Sequence, residues 1–176
     1  MPRLLAFLLF ASCFAAAQSV NLPGRHPRQP ARSIVGSYCR LDYVGSRLSK
    51  EGWDRVKPLT TWRDNPDWRG FTVVSQYDIT SANEGIRSSN VDVDYTVLGS
   101  FERGIGYSAE RAKDSVAFRL KDSDGSWRIE EIDPPINPHV SKPAAIAWLK
   151  SALAGEKDAA EKITLEEALK ELGAAP

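Results

Sequence analysis

The chain has 176 residues, 23 of them Lys or Arg and 23 Asp or Glu, which is the length of one ordinary domain with tails. That balance excludes the basic excess by which nucleic acid or an anionic membrane surface is usually recognised. Two cysteines, Cys13 and Cys39, are too few for a disulfide framework, so stability must come from packing, for which five tryptophans supply large pieces.

Met1-Pro2-Arg3 is a short basic start, Leu4 to Phe14 is apolar apart from Ser12, and Ala15-Ala16-Ala17 has the small-x-small form of a cleavage site. The apolar run is shorter than the roughly 20 residues a spanning helix needs. These features predict a secretory signal peptide over 1–17 and a periplasmic or extracellular mature chain. A second route stays open, because Phe10-Ala11-Ser12-Cys13 partly resembles the lipobox of bacterial lipoproteins, with Phe10 where leucine is usual. A lipid on Cys13 would anchor the same domain at a membrane. Cleavage after Ala17 removes Arg3 and Cys13, leaving 22 basic against 23 acidic residues and Cys39 unpaired. Cys39 is then read as a small buried apolar residue.

Residues 18–32 carry three prolines and little apolar content, which predicts a flexible leader with His26 as a solvated residue in it. The first helix is predicted from Ser33 to Leu48, because Ile34, Tyr38, Leu41, Gly45 and Leu48 share one side of a 3.6-residue wheel, with Asp42 at its edge. Ser49 is placed to cap a short second helix over 50–57 that presents Trp53 and Val56 and stops at Pro58. The turn-rich TTWRDNPDW follows, carrying Trp62 and Trp68.

Strand alternation predicts Phe71, Val73, Ser75, Tyr77 and Ile79 on one face, then Val91, Val93, Tyr95 and Val97, joined by a wide loop over SANEGIRSSN. A glycine-containing loop is predicted over 99–114, then a hairpin in which Val116, Phe118 and Leu120 lead through Asp122-Ser123-Asp124-Gly125 to Trp127 and Ile129. DxDG alone does not make a calcium loop, since the rest of the twelve-residue ligand pattern is absent. The alternation puts Glu131 on the apolar side. Either a bulge exchanges it for Ile132, or it is a carboxylate at the mouth of a pocket. Pro134, Pro135 and Pro138 extend the chain; His139, past the last strand, could reach a cavity mouth there, but beside Pro138 it is read first as a surface histidine. Ser141 then caps a helix to about Leu153 with Ile146, Leu149 and Leu153 on one face. Thr164 to Glu167 reads as a capping box opening a last helix with Leu165, Leu169 and Leu172 in a stripe.

Two amphipathic helices, a Trp-rich turn and antiparallel strands containing AFRLKDSDGSWRI with a proline-bearing exit resemble the nuclear transport factor 2-like superfamily over about 34–135. The resemblance implies an α+β fold, with N-terminal helices packed on a curved antiparallel sheet of about four strands, forming a cone, and additional C-terminal helices. The domain then spans 33–154 and a helical tail 155–176. A cone would face Tyr38, Leu41 and Trp53 toward Tyr77, Tyr95, Phe118 and Trp127, an aromatic ligand pocket. Enzymes of that superfamily commonly place an aspartate or histidine with a tyrosine in the cavity. Here the candidates are Glu131 or Asp42 as base, with Tyr38 or Tyr95 as hydrogen-bond donor.

Fold cannot be promoted to function in so diverse a group. Three readings follow: an exported non-catalytic module binding an apolar small molecule or a partner protein, a cofactor-free lyase or isomerase, and a structural module with a filled core that forms a homodimer. No cofactor, metal or nucleic acid is expected in any of them.

Overall fold

A computed structural model describes residues 28–133 and 135–174. The predicted signal peptide and the start of the leader lie outside these residues. The fold is α+β, with helices packed on both faces of a curved sheet, and the expected class holds.

Helix α1 spans Ala31–Tyr43 and buries Ile34, Val35, Tyr38, Cys39 and Asp42. It ends five residues before the predicted Leu48, because Gly45 adopts a left-handed φ of 83° and its N–H donates to Asp42 O at 2.7 Å. Glycine enters that region without a Cβ penalty, and helices commonly end on it. A 3-10 turn over Ser46–Leu48 follows, then α2 over Lys50–Val56, where Ser49 Oγ accepts from Gly52 N–H at 3.0 Å as the sequence predicts. The 28–32 segment is held rather than loose. Arg28 stacks on Trp127 at 3.3 Å and pairs with Asp122 at 2.9 Å, and Ala31 N–H donates to Glu84 Oε1 at 2.7 Å.

Strands β1 (Gly70–Glu84), β2 (Ser88–Glu102), β3 (Gly106–Ser108), β4 (Ala112–Ser123), β5 (Ser126–Asp133) and β6 (His139–Ser141) form one sheet of order β5-β4-β2-β1-β6, with β3 on the far end of β2. All pairings are antiparallel except that of β6 with β1. The expected wide loop is instead strand on both sides of a tight turn at Gly85, Ile86 and Arg87. Part of the predicted 99–114 loop is likewise strand, since β2 continues to Glu102 and turns back through β3. At the β4–β5 turn, Asp124 and Gly125 have φ of 54° and 82°, and Asp122 Oδ1 accepts from Gly125 N–H. Two consecutive positive φ values match the twist of a two-residue hairpin, which is why the Asp-Gly signal was legible.

Bulges explain where simple alternation fails. Register shifts leave Leu98 on β2 and Ser75 on β1 without cross-strand partners, and each extra residue reverses the faces beyond it. Phe71 and Val73 therefore belong to one core and Val74 to the other, with Tyr77 and Ile79 packed against the second of these. The predicted single face from Phe71 to Ile79 is thus split between two cores.

One core joins α1 and α2 to the sheet through Tyr38, Trp53, Tyr95, Phe118, Trp127 and Ile129 among others. The other joins Phe71, Val73, Phe101 and Tyr107 to α3 (Lys142–Gly155) and α4 (Ala159–Ala174). Ser141 Oγ accepts from Ala144 N–H at 3.3 Å, the predicted cap of α3. The start of α4 differs from the prediction: Asp158 Oδ1 accepts from Ala160 and Glu161 N–H, each at 2.9 Å, and Thr164 lies inside the helix. An aspartate six residues upstream outcompetes threonine as a cap. Leu165, Ala168 and Leu172 are fully packed, so the segment read as a tail is part of the second core.

Candidate functional site

The buried face of α1 carries a charge. Asp42 is fully buried, its Oδ2 accepts from His139 N–H at 2.9 Å, and it lies 3.7 Å from Arg47 Nη1. The left-handed turn at Gly45 is followed at once by Arg47, which is itself 2% exposed. Its Nη1 donates to Tyr38 OH at 3.0 Å and its Nε to Asn65 Oδ1 at 3.4 Å, while Asn65 Nδ2 donates to Arg47 O at 2.8 Å. Burial pushes the Asp42 carboxyl up, opposed by the guanidinium and the His139 N–H. Burial pulls Arg47 down, but the Asp42 carboxylate and Tyr38 more than offset it and hold the guanidinium charged.

His139 is the largest departure from the sequence reading. Expected on the surface, it is 2% exposed in β6, its ring against that of Tyr95 with centroids 4.3 Å apart. The cause is topological: β6 joins the edge of β1, pairing His139 with Thr72. Its Nδ1 lies 3.0 Å from Asn137 O, which has no proton to give, so Nδ1 carries the hydrogen and Nε2 the lone pair. Nε2 has no hydrogen-bond partner and lies 3.6 Å from Asp114 Oδ2. Burial lowers the ring's pKa, opposed by Asp42, the Asn137 carbonyl and Asp114, which favours the neutral ring.

His139, Asp114, Thr72, Lys113, Ser115 and Asn137 are among the residues lining a cleft of about 360 Å³ at the mouth of the curved sheet. Arg47 also borders a second cleft, of about 460 Å³, with Trp53, Trp68, Lys50, Lys57 and Arg63.

The seven residues expected to line an aromatic pocket are brought together, but against one another. Tyr38, Trp53, Tyr95, Phe118 and Trp127 are all buried in one cluster, with Leu41 and Tyr77 packed on it. Tyr38 meets Phe118 edge-on at 5.5 Å, and Trp53 stacks on Trp62 at 6.4 Å. The tyrosine hydroxyls are spent internally, Tyr38 OH on Arg47 and Tyr95 OH on Cys39 Sγ at 3.2 Å. Of the seven, Trp53 alone borders either cleft described above.

Glu131 is on the exposed face, where it pairs with Arg119 Nη1 at 2.7 Å. A register shift between Arg119 and Leu120 places Ile132 opposite Phe118 in the core instead, so the bulge is present and Glu131 does not enter a pocket. Of the two alternative bases, Glu131 is thus exposed and paired with Arg119, and Asp42 is buried beside Arg47. Arg47 and Asp114, which sequence reasoning passed over, and His139, which it read first as a surface residue, carry the polar geometry. Only the extension forced by the prolines hinted that His139 could return to the sheet.

No protein-family model matches the chain, and no curated protein matches it in sequence. Among solved structures, one described as an "Ntf2 like protein involved in plasmid conjugation" aligns with 12% identity and a TM-score of 0.39, over 58% of this chain and 47% of that one. The alignment spans about half of that protein's length.

The buried acids of this network predict an alkaline limit to stability. Burial pushes the Cys39 thiol up to about 12, and it raises Tyr38 and Tyr95 as well. The folded chain thus keeps protons that the unfolded chain releases above about pH 8.5 for cysteine and about pH 10 for tyrosine. Stability falls as pH rises through that range, by up to about 1.4 kcal/mol per pH unit for each group. Urea midpoints measured from pH 7 to 11 should fall from about pH 9 upward. A flat profile would contradict the burial of these groups.

Proposed function

We propose that the chain is an exported, non-catalytic module of the nuclear transport factor 2-like type, whose cone is filled by its own side chains and which acts through its surface. The observation supporting this reading is the internal use of the aromatic set. Tyr38, Trp53, Tyr95, Phe118 and Trp127 pack together, and both tyrosine hydroxyls that an acid-base mechanism would employ are committed to Arg47 and Cys39. A ligand-binding cone needs unfilled apolar volume with a few converging polar groups. Export rests on the basic start, apolar run and Ala15-Ala16-Ala17 of the first residues.

Native mass spectrometry of the protein isolated from its own host tests both parts. The expected mass is that of the chain beginning at Gln18, with no retained apolar molecule. A tightly held apolar ligand would sink the filled-cone reading. A chain beginning at a lipidated Cys13 would replace release with anchoring.

A further inference from the structure

We infer that the cleft between α2 and the 63–68 loop binds a small organic oxyanion, a carboxylate or phosphate head on a ring-shaped apolar body, with the Arg47 guanidinium at its floor. None of the residues lining this cleft of about 460 Å³ belongs to a strand, so the site lies outside the cone and does not depend on whether the cone is filled. Its volume is within the roughly 300–1,000 Å³ usual for small-molecule sites.

The floor is a cation with an unspent donor. Arg47 is 2% exposed yet borders the cleft. Its Nη1 is committed to Tyr38 OH and its Nε to Asn65 Oδ1, while Nη2 makes no hydrogen bond among the described residues. In those residues, the polar side-chain atoms both sealed from solvent and without a partner are Asp42 Oδ1, Trp127 Nε1 and His139 Nε2. Nη2 is not one of them, so its N–H groups are reachable from the cleft that Arg47 borders. Asn65 grips Arg47 through both ends of its amide and holds the guanidinium in place. A planar fork so held is preorganised for the oxygens of a carboxylate or phosphate.

The walls supply charge and apolar surface together. Lys50, Trp53, Asp54 and Lys57 follow the three- and four-residue spacing of one helix face, running along α2 to its end. Arg63, Asp64, Asn65 and Trp68 come from the loop opposite. Lys50, Lys57 and Arg63 are exposed, and neither they nor Asp54 and Asp64 form an ion pair among the described residues. Four cations and two acids thus line the cleft, whereas Asp42, on the buried side of Arg47, does not. The cationic excess favours an anion. Asp54 and Asp64 oppose a polyanionic strand, which restricts the preference to a single charged head. Leu48, half-buried Trp68 and the stems of the lysines offer the body of the ligand an apolar wall, with Trp53, stacked on Trp62, behind it.

The whole mature protein, uniformly labelled with nitrogen-15, is titrated at physiological ionic strength with phenyl phosphate, benzoate and inorganic phosphate. Indole N–H resonances are followed, the Trp68 signal being assigned by its loss in W68F. Phenyl phosphate or benzoate should move that signal saturably in the submillimolar range, and the tighter of the two identifies the head. K57Q/R63Q changes two exposed side chains and should weaken binding by about tenfold or more. R119Q/K121Q removes two cations from the pairs with Glu131 and Glu130 and should leave it unchanged. R47K keeps the charge but loses the fork, and should cost a similar factor in protein that retains its circular dichroism. K57Q/R63Q keeps the test readable if R47K does not fold.

A Trp68 resonance unmoved at millimolar concentrations of both ring compounds overturns the proposal. So does a folded K57Q/R63Q with unchanged affinity. Inorganic phosphate binding as tightly as the better ring compound also overturns it, leaving only a nonspecific anion contact. Each of these outcomes leaves the filled-cone reading standing, since the native mass measurement tests that separately.

Discussion

Replacing Asp42 with alanine is expected to lower the free energy of unfolding by about 3–5 kcal/mol, the usual cost of removing one member of a buried ion pair. Asp42 is fully buried and Arg47 nearly so, which means no water can take over the carboxylate's role at either neighbour. The substitution strands the guanidinium 3.7 Å from the vanished oxygen and leaves His139 N–H without its acceptor. Arg47 would keep only Tyr38 OH and Asn65 Oδ1. The double variant D42A/R47M should recover part of the loss, because replacing both members of a buried pair with apolar groups is often near neutral. Urea unfolding of the single and double variants reads both effects. A single-variant cost below about 1 kcal/mol would show that the pair is solvated rather than buried. His139 links this pair to the cone mouth, so D42A should also loosen β6, visible as faster hydrogen exchange at His139 to Ser141.

Leu172→Ala, near the end of the last helix, is expected to cost about 2–5 kcal/mol, as large as a substitution at the centre of the chain. Leu172 is fully buried beside Leu149, Leu165 and Ala168 in the core that also holds Phe71, Phe101 and Tyr107. A leucine in a dispensable tail would cost a few tenths instead. Truncation after Gly155 goes further, uncovering the apolar face that α3 and β3 present to α4. The expected outcome is a protein that aggregates or unfolds cooperatively at much lower denaturant, measured by thermal and urea transitions. If the truncated chain kept its midpoint, the second core would contribute nothing to the stability of the sheet.

These two residues mark where sequence patterns were informative and where they were not. Local chemistry was readable: Ser49 and Ser141 cap their helices because a hydroxyl beside the first turn satisfies an orphan N–H wherever the chain goes next. The Asp-Gly hairpin was readable for the same reason, its positive φ values being a property of two residues. Val91 to Val97 alternate cleanly because that stretch of β2 is bulge-free.

Alternation failed where a bulge intervened, at Ser75, Leu98 and Glu130, since one inserted residue exchanges faces and nothing local announces it. The Leu165 and Leu172 stripe was visible, but not what it packs against. A helix with an apolar face reads the same whether it docks on its own sheet or on a partner. The aromatic set was read as inward-facing, and Tyr38, Trp53, Tyr95, Phe118 and Trp127 are buried together. Whether those rings surround a cavity or fill it depends on distances of an ångström or two between elements far apart in sequence, which no spacing encodes.

The sequence by itself determined the order of the principal helices and strands and the α+β class, because each follows from propensity, capping and period within a short window. Tertiary structure alone decided that Asp42 and Arg47 pair beneath α1, and that His139, 97 positions from Asp42, is drawn in beside it. Parallel pairing of β6 with β1 is a non-local event whose gain is shared by both strands and carried by neither sequence alone. That pairing turned a histidine read as surface into the buried floor of the cleft.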